Sequence, residues 1–236
     1  MKRLKMLFLT LCAVLIPTLT SCNDEEGYSI GDFTTPSWAT LSITGDGFYL
    51  TDDIWGKLWP VNQHLNSTAT SDLFEDGQRV IITFNPLSDK YYGFDHAVKL
   101  LSIQEVLTKD IETLTSENDE AYGNDPITIA QGNLTISGNH LNIIYQQNIP
   151  SQAKHRISLL RPASDNELYG SDGYIHLQLR YNTYNDVSGY LLNNAVSFNL
   201  NSLDIPAGTQ GIKLKLQSSV NGEVEVELPF IVSEGN

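Results

Sequence analysis

Trp38-Ala39-Thr40-Leu41-Ser42-Ile43-Thr44-Gly45-Asp46-Gly47-Phe48-Tyr49-Leu50-Thr51 is the stretch that decides the fold class. From Trp38 to Thr44 apolar and polar residues alternate, as in a strand with one buried face. Gly45-Asp46-Gly47 supplies a tight turn, and Phe48 to Thr51 returns as the second arm of a hairpin. Working outward, Asp52-Asp53 and Gly56 mark another turn. Lys57-Leu58-Trp59-Pro60-Val61 reads as a short strand, with Pro60 suited to a sheet edge, and polar residues 62–72 as a loop. Glu75-Asp76-Gly77 introduces Gln78-Arg79-Val80-Ile81-Ile82-Thr83-Phe84, the strongest strand of the first half, which Asn85-Pro86 is expected to stop. Tyr91-Tyr92-Gly93-Phe94 and 97–101 follow, and 103–114 fits either a last strand or a short helix. Short strands separated by turn signals predict a small barrel.

Residues 115–126 break this pattern. Ser116-Glu117-Asn118-Asp119-Glu120 and Gly123-Asn124-Asp125-Pro126 are polar, acidic and punctuated by glycine and proline, so the domain boundary is placed there. Beyond it, alternating strands are predicted at 127–129, 133–136, 140–146, 155–160, 174–181, 194–200, 211–217 and 223–230. Their near-regular spacing, with turns such as Ser137-Gly138-Asn139 and Val220-Asn221-Gly222, is that of a β-sandwich of the immunoglobulin-like kind. The expected fold is all-β: a barrel over 37–116, then a sandwich over 124–236.

The chain opens with Lys2, Arg3 and Lys5, followed by an uncharged, mostly apolar run from Met6 to Leu19. This is the pattern of a signal peptide. A membrane span needs about 20 apolar residues, more than this run provides. It ends in Leu19-Thr20-Ser21-Cys22, which resembles the bacterial lipobox. The small side chains let a signal peptidase reach the backbone, and the Cys22 thiol takes the diacylglycerol. The expectation is a signal over 1–21, cleavage before Cys22, and attachment to a membrane through lipid on that cysteine. Two or more acyl chains anchor stably, whereas one does so only marginally. The second cysteine, Cys12, leaves with the signal, so no disulfide is expected. Residues 22–36 read as a tether, and Asn23-Asp24-Glu25-Glu26 resembles the surface-export signal of Bacteroides-group lipoproteins. The predicted location is the outer membrane, on the cell surface or the periplasmic face. A plain solvated tether is the rival reading of the acidic run.

Without its three N-terminal basic residues the chain carries 11 Lys+Arg against 28 Asp+Glu, a net charge of −17. Such a surface repels phosphate backbones, which excludes nucleic acid as a partner class. It gains nothing from anionic headgroups either, so lipid rather than a basic patch must hold it to a membrane.

No constellation of residues announces catalysis or a cofactor. The five histidines, His64, His96, His140, His155 and His176, include no pair within five residues, whereas zinc sites usually show a close ligand pair. Polar neighbours on a wet sheet face explain His140, His155 and His176 better than ligation does. The acidic stretch 117–125 lacks the ligand spacing of a calcium loop. Ser171-Asp172-Gly173 and Ser188-Gly189 are turn sequences without an adjacent base. Asp52-Asp53 suggests paired carboxylates, but neighbours on a strand point to opposite faces, so turn capping is the better reading. The remaining candidates are aromatic. Trp55 and Trp59 flank a turn and are the candidates for ligand contact, since exposed rings can stack on a sugar or anchor a protein, but core packing or strand-edge cover is the more usual role of such rings.

Asp46-Gly47-Phe48-Tyr49-Leu50-Thr51-Asp52-Asp53, Lys57-Leu58-Trp59-Pro60-Val61, Asp76-Gly77-Gln78-Arg79-Val80 and Leu107-Thr108-Lys109-Asp110-Ile111 occur in an order that resembles the NigD-like lipoproteins of the Bacteroides group. Leu141-Asn142-Ile143, Lys154-His155-Arg156-Ile157-Ser158-Leu159, Leu177-Gln178-Leu179-Arg180 and Val196-Ser197-Phe198-Asn199-Leu200 extend the resemblance through the second half. Ile54-Trp55-Gly56 departs from the family pattern, which turns more directly through glycine. The resemblance implies an OB-type barrel before the sandwich and no catalytic residues. It also implies a link to bacteriocin immunity, the role proposed for the family's founding member. The expected function is that of a non-enzymatic envelope lipoprotein binding an envelope protein or a bacteriocin. The alternative is a surface module that binds glycan.

Overall fold

The computed structural model describes residues 35–45, 47–63, 74–152 and 154–230. Five strands, β1 (Ser37–Thr44), β2 (Gly47–Asp52), β3 (Gly56–Pro60), β4 (Arg79–Tyr91) and β5 (Phe94–Glu105), close into a barrel in the order β1-β2-β3-β5-β4. The predicted first hairpin is β1–β2, with Leu41 opposite Leu50 and Ile43 opposite Phe48. Its inward set follows the period of two. Ala39, Leu41, Phe48 and Leu50 meet Leu58, Val80, Ile82, Phe84 and Val98 in the barrel core.

Two expectations are corrected here. Asn85-Pro86 does not stop the fourth strand. β4 continues to Tyr91, and its register against β5 shifts between Pro86 and Ser88. The residue left unpaired is Leu87, and Pro86, still opposite Val98, borders this bulge, where a proline without an N–H is tolerated. Nor is β3 an edge strand: it pairs antiparallel with β2 and parallel with β5, which closes the barrel, and Pro60 itself pairs only with Val98 of β5, beyond the last β2 partner at Leu58.

The sandwich begins sooner than the sequence suggests. β6 (Leu107–Asp110) and β7 (Glu112–Leu114) lie inside the segment assigned to the barrel, yet they pair with sandwich strands. The changeover therefore falls at the buried Val106, ahead of the polar stretch 115–126. That stretch holds a single-turn helix, α1 (Asp119–Tyr122), tied to the sandwich by an Arg180–Asp119 ion pair of 2.9 Å. It looks like a linker because it is a solvated turn, whereas the true junction is short and apolar.

The remaining strands are β8 (Leu134–Ser137), β9 (His140–Asn148), β10 (Arg156–Pro162), β11 (Tyr174–Asn182), β12 (Leu191–Asn199), β13 (Gly211–Ser218) and β14 (Gly222–Pro229). They form a five-stranded sheet, β14-β13-β11-β10-β7, and a four-stranded sheet, β6-β12-β9-β8. A second one-turn helix, α2 (Asp165–Leu168), packs against β10 and β11. Between the sheets lies a core that includes Leu141, Ile143, Tyr145, Leu159, Leu177, Leu179, Val196, Phe198, Ile212 and Leu214. Burial pushes the phenol of Tyr145 up to about 12.

Candidate functional site

Arg79 opens β4. Val80, Ile82 and Phe84 face the barrel core, so the period of two turns Arg79 to the outside of the barrel. It is nevertheless 0% exposed, because the four-stranded sheet covers it. That sheet contributes its outer face. Leu141 and Ile143 of β9, and Val196 and Phe198 of β12, point into the sandwich core. Asn142 and Ser197 alternate with them, sit opposite each other in register, and are both fully buried against the barrel.

The polar groups at this junction form a connected network, in which Arg79 Nε is buried without a hydrogen-bond partner. Arg79 donates from Nη1 to Asp53 Oδ1 at 2.8 Å and from Nη2 to Asp53 Oδ2 at 2.5 Å, a two-pronged ion pair. Nη1 also donates to Thr40 Oγ1 at 3.0 Å. From the sandwich, Ser137 Oγ donates to Asp53 Oδ2 at 2.5 Å, Asn142 Nδ2 to Ser137 Oγ at 3.0 Å, and Ser197 Oγ to Asn142 Oδ1 at 2.6 Å. The guanidinium also lies 5.9 Å from the centre of the Trp38 ring. Two buried charges paired in this way favour one relative orientation of the domains, since any other would leave a charge unpaired in a dry interface.

Asp52, the last residue of β2, and Asp53, the first of the turn after it, point apart. Asp52 Oδ1 accepts the N–H groups of Ile54 and Trp55, both at 2.9 Å, and caps the turn. Asp53 turns away to Arg79.

The Leu-Thr-Lys-Asp-Ile segment meets Asp-Gly-Gln-Arg-Val at this junction. The Arg79 N–H donates to Thr108 Oγ1 at 3.0 Å, and the Val106 N–H to the Arg79 carbonyl at 3.1 Å. Asp76 Oδ1 accepts the Ile43 N–H at 2.8 Å. Lys109 alternates with Thr108, so it faces the opposite side of β6 and reaches across to the other sheet. Its Nζ donates to the Ile157 carbonyl at 2.7 Å and pairs with Glu112 at 3.2 Å. Glu112 also accepts from Arg156 Nη2 at 2.7 Å, Ser158 Oγ at 2.8 Å and Tyr122 Oη at 3.1 Å. Partial burial opposes its ionisation, but the Ser158 hydrogen bond and the Lys109 charge outweigh this and hold the carboxyl below the usual range. This cluster closes the β6/β7 side of the sandwich.

Beside the junction, Glu75, Asp76, Glu105, Asp110, His140 and Asn199 help to line a polar cleft of about 410 Å³. Burial lowers the affinity of His140 for a proton, partly offset by its Nδ1 contact with the Gly138 carbonyl at 2.6 Å. His96 pairs with Asp89, His176 with Asp172, and His155 contacts the Tyr181 hydroxyl and the Asp186 carbonyl. The histidines are thus held by separate partners. Among the described residues no three His, Cys, Asp or Glu side chains come together as a metal would require.

The two tryptophans do not form one platform. Trp55 packs edge-on against Phe84 of the barrel core at 5.7 Å and against His96 at 5.3 Å. Trp59 alternates with the buried Leu58 and Pro60, faces outward, and lies 4.9 Å from Phe94, which is 5.6 Å from Tyr49. Cys22 and His64 lie outside the described residues. Sequence reasoning missed Arg79, Asp53, Asn142 and Ser197. An isolated polar residue on an alternating strand reads as solvent-facing, and only domain packing reverses that.

The NigD-like N-terminal OB domain matches residues 38–106, and the NigD-like C-terminal beta sandwich domain matches residues 110–230. The chain belongs to the NigD-like family. Solved structures resemble this NigD-like chain over most of its length. A protein of unknown function from Bacteroides vulgatus is 25% identical, with a TM-score of 0.72 over 86% of this chain and 93% of the other. A protein from Parabacteroides distasonis described as toxin-related is 28% identical, with a TM-score of 0.67 over 84% and 93%. A Bacteroides caccae protein described as a NigD-like immunity protein shares the fold at 16% identity, with a TM-score of 0.57 over 85% and 93%. No curated protein matches the NigD-like chain in sequence.

Proposed function

We propose that the chain is a non-enzymatic lipoprotein of the cell envelope that binds another protein, as an immunity-type factor acting against a bacteriocin would. The carrying observation is how its most distinctive motifs are used. Arg79 and Lys109, with Asp53, Glu112, Asn142 and Ser197, are tied into two networks that join barrel to sandwich and sheet to sheet. These motif residues are thus occupied within the fold, which leaves recognition to the outer faces. Two structural relatives, one described as toxin-related and one as an immunity protein, support the same reading.

Lipid on Cys22 would place that body at the outer membrane, on the surface or the periplasmic face. A strain lacking the gene should become more sensitive to bacteriocins of related strains. The wild-type chain should restore resistance, and a Cys22→Ser chain, which takes up no labelled palmitate, should restore little. Unchanged sensitivity in the deletion strain, with no envelope partner recovered by crosslinking, would sink this reading.

A glycan-binding role is the second reading, favoured by the half-buried Trp59–Phe94–Tyr49 cluster on strands β2, β3 and β5. In OB-type barrels this region is a common ligand face. Titration against a polysaccharide panel should show binding that Trp59→Ala weakens by 1–3 kcal/mol per stacked ring, about the size of ring stacking elsewhere. Trp55→Ala should lower the melting temperature instead, because that ring packs on Phe84. A panel with no ligand, or a ligand indifferent to Trp59, removes the glycan reading.

A further inference from the structure

The two sides of the sandwich are built differently. β6 and β7 are separated only by Ile111, so these two edges adjoin, and Lys109 with Glu112 closes the gap between them. The edges on the other side are β8 and β14. Between them runs an apolar groove. One hollow, of about 310 Å³, is lined by Ile129, Leu134, Val224, Val226 and Leu228 among others. The next residues inward along the same two strands, Ile136 beyond β8's Leu134 and Phe230 beyond β14's Leu228, line a second hollow with Leu203 and Ile205. Val224, Val226, Leu228 and Phe230 pack on the core yet stay half-exposed.

The main chain of β14 is also unpaired on its outer side among the described residues. The Phe230 N–H donates to the Gln210 carbonyl at 2.9 Å. Antiparallel pairs alternate between bonded and non-bonded positions. Residues 228, 226, 224 and 222 therefore bond to β13, and Glu223, Glu225 and Glu227 turn their N–H and C=O groups outward. The Ile127 N–H agrees with this: it takes the Gln217 carbonyl opposite Glu223, on the side of β13 away from β14.

Charge selects what can pair there. The side chains of Glu223, Glu225 and Glu227 are exposed. Their neighbours on β13 are two lysines: Lys215, 3.0 Å from Glu223, and Lys213, which is 3.6 Å from Glu227 but 2.7 Å from Asp172. The outer row is left acidic. A second copy of the chain, pairing β14 with β14, would set glutamate against glutamate, which is unfavourable across strands. The chain's own terminal stretches offer no counter-charge, since 22–36 and 231–236 contain acidic residues and neither Lys nor Arg.

We propose that the β14 edge is a docking site for an extended strand of another protein whose residues alternate between basic and apolar. Its backbone would bond to Glu223, Glu225 and Glu227, its cations would face the three carboxylates, and its apolar side chains would fill the groove over Val224, Val226 and Leu228. This is recognition by strand addition, and it rests on the reading of the chain as a protein-binding factor.

The test uses the full mature chain and a short peptide alternating lysine with valine. It should bind about tenfold more tightly than a glutamate–valine peptide, and it should slow amide hydrogen exchange at Glu223, Glu225 and Glu227. Methylating alternate amides of the peptide should abolish binding. Glu225→Lys, at an exposed position that leaves the fold intact by circular dichroism, should erase the preference for the basic peptide, and Glu225→Gln should reduce it. Equal binding of the two peptides, no binding of either, or protection elsewhere on the chain overturns the proposal. Photocrosslinking in cells separates its failure from that of the parent reading. A partner captured from the exposed Ile54 but not from Glu225 defeats the edge site and leaves protein binding standing, whereas capture from neither defeats both.

Discussion

Replacing Arg79 by alanine should lower stability by about 3–5 kcal/mol, the usual cost of stranding one partner of a buried ion pair. The Asp53 side chain is only 7% exposed, so without the guanidinium its carboxyl group is stranded in a nearly dry interface. The Ser137 hydroxyl alone cannot balance it. For a chain of this size such a loss corresponds to about 10 °C in melting temperature. It should also change the form of the transition. Barrel and sandwich each have a separate core, and the network at Arg79 is a principal polar tie between them. Calorimetry should therefore show one transition in the wild type and two in Arg79→Ala.

Two further variants distinguish pairing from packing. Arg79→Lys should recover little, because one ammonium cannot make the two-pronged contact with both Asp53 oxygens. Adding Asp53→Asn to Arg79→Ala should return a substantial part of the loss, because it removes the stranded charge. An Arg79→Ala protein within 1 kcal/mol of wild type, or a double variant less stable than the single one, would show that the pair does not hold the domains.

How much of this was legible in the sequence depends on whether a residue's surroundings are local. The first hairpin was, because Trp38 to Thr51 carries both its alternation and its turn. A small barrel and a sandwich were legible from strand spacing and turns, the OB type of the barrel came with the family resemblance, and both agree with the matches over 38–106 and 110–230. The persistence of β4 through Pro86 was not legible, because a proline beside a bulge looks like a proline at a strand end until the register is known. Parallel pairings such as β11 with β13 and β6 with β12 also join strands distant in sequence. The junction was least legible of all. Arg79 and Asn142 have the spacing of solvent-facing residues, and nothing within their own strands says that a second domain lies on top of them.

Gly138 ties turn chemistry to that junction, and its substitution should be almost as damaging as that of Arg79. Gly138 and Asn139, with φ of 55° and 59°, form the two-residue turn between β8 and β9. Both are left-handed, as a type I′ hairpin turn requires. A Cβ on Gly138 would run into the Asp53 carboxylate and come within 2.8 Å of Arg79 Nη1. Gly138→Ala therefore carries two costs. The left-handed backbone costs an alanine about 1–2 kcal/mol, and the methyl pushes Asp53 off its guanidinium, for a total of about 3 kcal/mol or more. Asn139→Ala has the same backbone demand without contact to the pair, so it should cost only the first part. The decisive measurement is the double variant Asp53→Ala/Gly138→Ala, followed by urea denaturation. Once the carboxylate is gone, the added methyl meets only the end of a flexible arginine. The two changes should then be non-additive by about 0.5–3 kcal/mol. Full additivity would mean that the glycine serves the turn alone, and that the hairpin tip does not hold Asp53 in place.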